Sequence, residues 1–200
     1  MKDQLLNIYK NAKISHIDHK ILENKILVSF NDGAKVEILG KNEEEYNIKF
    51  FNQKAGSLIY NSTIKNNMWA SPSPRYFIHW LIEIHNKKTD KKQSFEFNLK
   101  NKRVKIVNQS PSLGDCIAWT PYIIEFQKTH QCIIDFYTPY TEILSNNNEN
   151  INILEYHKKN NAENYYASYE LGYYYGDLSK TFKDVRNQNL QEIAANILGL

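Results

Sequence analysis

The sequence predicts an α+β protein, with an antiparallel β-barrel or sandwich over residues 1–102 and an open α/β lobe over residues 103–200. Three observations predict it. Apolar and polar residues alternate with a period of two from about residue 25 to 100. Near residue 103 the alternation gives way to short, wholly apolar runs. Between two of those runs lies a segment with helical spacing.

The strands come in order. Ile26, Val28 and Phe30 alternate with Lys25, Leu27 and Ser29, and Asn31-Asp32-Gly33 follows as a hairpin turn in which glycine supplies positive φ. Val36 and Ile38 answer on the return strand. Tyr46, Ile48 and Phe50 form the next run, Gln53-Lys54-Ala55-Gly56 the next turn, and Leu58 to Ile64 the strand after it. Ser71-Pro72-Ser73-Pro74 breaks the alternation as an extended connection. Phe77 to Ile84 then places Ile78, Trp80, Ile82 and Ile84 on one face, with His79 and Glu83 opposite. Phe95, Phe97 and Leu99 pair with it across a charged turn. The first 20 residues read as a short helix.

Val104, Ile106 and Val107 form an apolar strand of the kind buried in a parallel sheet. Trp119, Tyr122, Ile123 and Phe126 follow at i, i+3, i+4 and i+7, one face of a helix that Pro121 is expected to kink or to shift in its start. Cys132 to Phe136 returns as a second buried strand, so residues 103–137 form a β-α-β unit. Ile151 to Leu154 reads as another strand and Asn187 to Leu198 as a terminal helix. Tyr165, Tyr166, Tyr169 and Tyr173 suit one helix face, which favours packing over a stacking platform for sugars or polypeptide.

Composition excludes several classes. Hydrophobic residues make up 42% of the 200, enough for a core. The 25 basic and 22 acidic side chains are interspersed and leave +3, which does not imply nucleic-acid or membrane binding. Met1-Lys2-Asp3 is not followed by an apolar core segment, and no run could span a bilayer, so a cytoplasmic protein is expected. Cys116 and Cys132 are too few for a disulfide framework and read as reduced, buried thiols. The histidines carry no metal motif. His79, Glu83 and His85 share a strand face but lack a completing ligand, so no metal site is expected.

Chemistry is expected at the loop Ser110-Pro111-Ser112-Leu113-Gly114-Asp115, because ligands bind beyond the carboxyl ends of strands in open α/β sheets. Gly114 lets backbone approach a ligand, and Asp115 at the mouth of the helix could take a proton from a hydroxyl nucleophile. The structural alternative is that Asp115 is a helix N-cap. The loop has neither dinucleotide nor P-loop spacing. Ser112 and Asp115 are not a nucleophile–base pair, since no histidine serves them.

The stretch from Ser112-Leu113-Gly114-Asp115 through Trp119-Thr120-Pro121-Tyr122 to Glu125-Phe126 resembles the bacterial autotransporter heptosyltransferases, within the broader ADP-heptose-using group. Asn67-Met68-Trp69-Ala70 and Phe95 to Lys100 upstream, and Leu171 to Tyr175 and Asp184 to Leu200 downstream, resemble the same family, so the likeness runs over about residues 35–200. The resemblance implies a β-domain followed by an incomplete Rossmann-like lobe of a two-lobed GT-B glycosyltransferase. It implies transfer of heptose from ADP-heptose to Ser or Thr hydroxyls of an autotransporter polypeptide. In that reading Asp115 is the catalytic base, and Ser112, Leu113, Gly114 and Trp119 shape the substrate pocket.

The expected partners are therefore the autotransporter, ADP-heptose, and a homo-oligomer or a complementing donor-lobe chain. The family's cysteine-ligated iron site and its donor lobe are not expected in these 200 residues. The alternative from another class is a non-catalytic module that binds an autotransporter or a partner transferase chain.

Overall fold

The computed structural model describes residues 24–76, 78–142, 144, 148–156 and 165–200. The helix expected over the first 20 residues, and Phe77, lie outside them.

The first strands form as their alternation dictates. β1 (Lys25–Ser29) and β2 (Lys35–Leu39) pair antiparallel, with Val28 opposite Val36 and Ile26 opposite Ile38. Asp32 at φ 56° and Gly33 at φ 94° make the turn between them, the left-handed pair a tight hairpin requires. β3 (Glu45–Asn52) and β4 (Ser57–Lys65) form the next hairpin, with a register shift between Phe50 and Phe51. The short β5 (Trp69–Ala70) joins β2. β6 (Trp80–Asn86) pairs with β3 on one side and β7 (Lys92–Glu96) on the other, Ile82 facing Phe50 and Phe95.

The described strands of this part make two antiparallel sheets, ordered β1-β2-β5 and β4-β3-β6-β7. They are not one closed barrel, which corrects the barrel form of the expectation. The physical reason is that β5 contributes only two residues to the first sheet, and no ladder joins it to β4 or β7.

The second part is a four-stranded parallel sheet, ordered β10-β9-β8-β11. β8 (Arg103–Asn108) leads through α1 (Leu113–His130) to β9 (Ile133–Thr138), parallel to β8 with Ile106 beside Phe136. β10 (Ile151–Glu155) and β11 (Ala167–Leu171) add at the two edges. α2 (Leu190–Leu198) packs on α1 and opens with a full capping box, Asn189 and Glu192 each bonding the other's backbone.

Two local expectations change. α1 runs without a break from Leu113, well before Pro121, so the proline neither starts nor ends it. The Thr120 hydroxyl donates to the Cys116 carbonyl (2.7 Å), giving an acceptor of that stretch a side-chain partner. The tyrosine-rich segment around Tyr169 is strand β11 rather than helix. Its buried residues Ala167, Tyr169 and Leu171 follow a period of two, and aromatic residues favour a pleated, half-buried surface.

Aromatic rings knit the two parts together. Phe30 and Phe97 meet Tyr166 at 5.4 and 5.9 Å between ring centres, Tyr76 meets Tyr169 at 5.4 Å, and Phe30 forms an isolated parallel bridge to Ala167. Buried side chains of both parts join in one apolar core. On the second sheet, Asp135 is wholly buried on β9. It accepts hydrogen bonds from Arg103 (2.5 Å), Asn152 (2.8 Å) and Tyr165 (2.6 Å), and so clamps three strands. Hydrogen bonding to Asp135 raises the Arg103 pKa, while burial and the same carboxylate raise that of Tyr165.

Candidate functional site

β8 ends at Asn108, and the chain turns through Gln109 to Ser112 before α1 begins. This is the carboxyl edge of the parallel sheet, where the open α/β arrangement leaves a crevice. Each turn of the loop is fixed by a side chain. Ser110 N donates to Asn108 Oδ1 (2.9 Å), and Ser112 N donates to Ser110 Oγ (3.1 Å). Ser110 Oγ donates in turn to Asp115 Oδ2 at 2.5 Å, both residues being buried. Tyr140, after β9, donates its hydroxyl to the Pro111 carbonyl and ties the loop to the neighbouring strand.

Asp115 is therefore not the helix cap. Ser112 holds the N-cap position, with no side-chain cap bond, and Asp115 lies in the first turn, where the helix dipole favours negative charge. Ser110 holds its carboxylate. Burial first, and then interaction with that carboxylate, raises the pKa of Tyr173, in the segment after β11. A short O–H···O bond of this kind fixes the direction of the acceptor oxygen.

The neighbouring site residues divide by exposure. Ser112, Leu113 and Gly114 are exposed around the mouth, with Ile117 one turn on. A Cβ on Gly114 would meet only Ser112 Oγ at 3.6 Å, so nothing within the chain demands a glycine there. Trp119 is fully buried, and its indole N–H donates to the Leu190 carbonyl (2.9 Å), fastening α1 to the start of α2. It also backs Tyr173, with ring centres 5.7 Å apart. Its place in the site is behind that ring rather than at the surface.

Sequence reasoning missed Asn108, named Ser110 only as part of its loop, and weighed Tyr173 for packing or stacking rather than for a place near Asp115. Ser110 sits two residues before Ser112, and nothing in the sequence separates their roles. Asn108 is 2% exposed, and its Nδ2 is the one buried side-chain donor or acceptor without a partner among the described residues. Such an amide costs about 1–3 kcal/mol, a cost this fold carries next to Asp115. Tyr173 reaches the site only because β11 pairs parallel with β8, Leu171 beside Asn108, which brings the chain after Leu171 to the loop. Gly172 is what lets it close up, since a Cβ there would come within 3.2 Å of the Gln109 side chain.

No group of three or more His, Cys, Asp or Glu side chains among the described residues is placed to hold a metal. Cys116 faces Thr138 Oγ1 (3.2 Å) at the start of α1, whereas Cys132 lies beyond its end, about 24 Å along the axis. Burial pushes the Cys132 thiol up to about 12. These residues do not fit a cysteine-ligated iron centre. Of the strand-face trio, His85 bonds Asp90 (2.6 Å), while His79 lies near His130 with ring centres 6.1 Å apart. No helix among the described residues is long and apolar enough to cross a membrane.

Comparison with known proteins gives the site its context. No protein-family model matches the chain. The autotransporter heptosyltransferase BAHTCr of Citrobacter rodentium (strain ICC168) is 30% identical over 189 residues, spanning 88% of this chain and 43% of its own. Aah of Escherichia coli is 28% identical over 183 residues, spanning 89% of this chain and 45% of its own. The crystal structure of TibC from enterotoxigenic E. coli H10407, an iron-containing dodecameric glycosyltransferase, has TM-score 0.77 at 24% identity. It matches 88% of this chain and 46% of TibC. TibC in complex with ADP-D-β-D-heptose gives 0.76.

By fold the chain is like the solved glycosyltransferase, and its relatives over this length are heptosyltransferases. More narrowly, over the length it shares with them, it belongs to the autotransporter heptosyltransferases. The chain spans less than half the length of the curated relatives it matches.

Proposed function

We propose that this chain forms the acceptor-side part of a protein O-heptosyltransferase, with Asp115 as the general base. In this reading the division near residue 102 separates a β-domain from a Rossmann-like lobe of GT-B type, working in the cytoplasm. The ADP-heptose site and its nucleotide contacts lie in the part of the relatives' length not represented here. The partners in this reading are the autotransporter polypeptide and ADP-heptose, with a homo-oligomer or a complementing donor-lobe chain beside them. What carries the reading is the Asp115 carboxylate. It is buried, ionisable and gripped by Ser110 at 2.5 Å, yet performs no capping at the helix mouth.

The chemistry follows from that placement. The hydroxyl oxygen of an acceptor Ser or Thr attacks the anomeric carbon of the heptose as its proton passes to the Asp115 carboxylate. The new oxygen–carbon bond forms as the bond from that carbon to the ADP oxygen breaks. The electron pair leaves with ADP, and the configuration inverts. Ser110 holds the carboxylate in place for the transfer, which depends on alignment of base and hydroxyl within hydrogen-bond reach.

The test is mass spectrometry of an autotransporter co-expressed with this chain in a host that makes ADP-heptose. Heptose on Ser or Thr that falls at least about a hundredfold in Asp115→Asn supports the assignment. Equal modification by wild type and Asp115→Asn removes Asp115 as base. Binding of the autotransporter with no transfer, even with a donor lobe supplied, makes the chain a binding module.

A further inference from the structure

Asn108 closes β8 with a buried side chain whose amide is bonded at one end only. Its Oδ1 accepts from Ser110 N (2.9 Å), and that N–H donor settles which end of the amide is oxygen. Nδ2, at the other end, is the buried donor left without a partner among the described residues. Asn108 falls two residues after Ile106 and shares its face of the sheet. Ile106 lies beside Phe136, and Thr138, on that same face of β9, meets Cys116 of α1 at 3.2 Å. The amide therefore sits on the side of the first turn of α1. Ser110 links it to the candidate base, giving its N–H to Asn108 and its hydroxyl to Asp115 Oδ2 (2.5 Å).

We propose that Asn108 is a positioning residue that aims Ser110 at Asp115 while adding no charge to the buried pair. This rests on the reading of Asp115 above and names what aims the hydroxyl that holds its carboxylate. A side-chain oxygen that accepts from the backbone N–H two residues on makes an Asx turn, which asparagine and aspartate form. Aspartate would make the turn and leave no donor unpaired. It would also bury a second carboxylate across Ser110 from Asp115, and like charges sharing a site push ionisation to higher pH. A base must be ionised to take a proton, so the second charge works against the reaction. Asparagine keeps the turn and omits the charge, and the unpartnered Nδ2 is the consequence of that choice. The titratable groups set about Asp115 are Cys116, next to it on α1, Tyr140, bonded to the Pro111 carbonyl, and Tyr173, whose pKa burial and then that carboxylate raise. Thiols and phenols carry no charge where carboxylates titrate, so these leave the balance of charge unchanged.

The test uses the 200-residue chain and two readouts. Carbon NMR of the side-chain carboxyls follows Asp115, whose signal is assigned by its loss in Asp115→Asn, and amide hydrogen exchange follows Ser110. In Asn108→Asp the Ser110 amide is expected to stay protected within about threefold of wild type, while the Asp115 titration midpoint rises by about one pH unit or more. Asn108→Ser, which keeps an acceptor and adds no charge, should leave that midpoint within about 0.3 pH units of wild type. In Asn108→Ala the Ser110 amide should exchange at least about tenfold faster. Asn108→Leu, similar in shape and lacking the acceptor, takes its place if the alanine variant does not fold. A role in packing alone would lower stability without moving the Asp115 midpoint selectively in Asn108→Asp. An unmoved midpoint in Asn108→Asp, or an equally protected Ser110 amide once the acceptor is gone, overturns the proposal. Neither readout involves transfer, so the two readings fail separately. Full transfer by Asp115→Asn rejects the base whatever Asn108 does, and an unmoved midpoint beside transfer lost in Asp115→Asn rejects Asn108 and keeps the base.

Discussion

Replacing Ser110 with alanine tests whether the loop before α1 is built to hold Asp115. The substitution removes one oxygen that makes two bonds, donating to Asp115 Oδ2 at 2.5 Å and accepting from Ser112 N at 3.1 Å. The first is charge-assisted and buried on both sides, a class that contributes about 1.5–3 kcal/mol. The second adds little, because Ser112 is exposed and its N–H can turn to water. Ser110→Ala should therefore destabilise the chain by about 2 kcal/mol, measured as a lower urea midpoint at unchanged slope. The double-mutant cycle with Asp115→Ala isolates the pair. An interaction energy of about 1–3 kcal/mol is expected, and Ser110→Thr, which retains the hydroxyl, should recover most of the loss. A Ser110→Ala cost below about 0.5 kcal/mol, or additive single changes, would refute the claim that Ser110 positions the carboxylate.

Two further predictions concern stability alone. His130 is half-buried beside Phe126 and His79, and this partial burial, with the neighbouring imidazole second, pulls its pKa down to about 4; His79 is lowered too, by burial and then by Lys54. Between pH 4 and 6.5 the unfolded chain binds the extra proton, so stability is complete above pH 6.5 and declines as the pH falls toward 4. The loss should be on the order of 2 kcal/mol for His130, read from urea melts at stepped pH, and His130→Phe should flatten the profile; an unchanged slope in that variant would sink the argument. Asn189→Ala removes half of the capping box of α2 and should cost about 1 kcal/mol, seen in the thermal midpoint. An unchanged midpoint would show that Trp119 on the Leu190 carbonyl suffices to hold the helix start.

Much of this protein was legible along the chain because local periodicity is a backbone property. Alternation at Val36, Ile38, Ile48 and Phe50 suits a strand with one buried face, and the Asp32-Gly33 turn closes with positive φ. The apolar run of β8, the helical spacing of α1 and the return at β9 fixed a β-α-β unit and put Asp115 at its carboxyl edge. The resemblance to heptosyltransferases, drawn on the Ser112 to Phe126 stretch, agrees with the relatives found over 88% of the chain.

The sequence by itself thus determined most of the elements, the position of Asp115 and the likeness to the heptosyltransferases. Only the tertiary structure decided which groups meet it. Helical and strand readings of Tyr165 to Tyr173 compete when aromatics are dense, and pairing of β11 with β8 resolved them by offering an open sheet edge to bond. That same pairing carried Tyr173 onto Trp119 of α1 from far along the chain, and the fold of a short loop chose Ser110 over Ser112 as the partner of the carboxylate. The first depends on where another strand lies and the second on the exact path of a loop, and no local spacing encodes either distance.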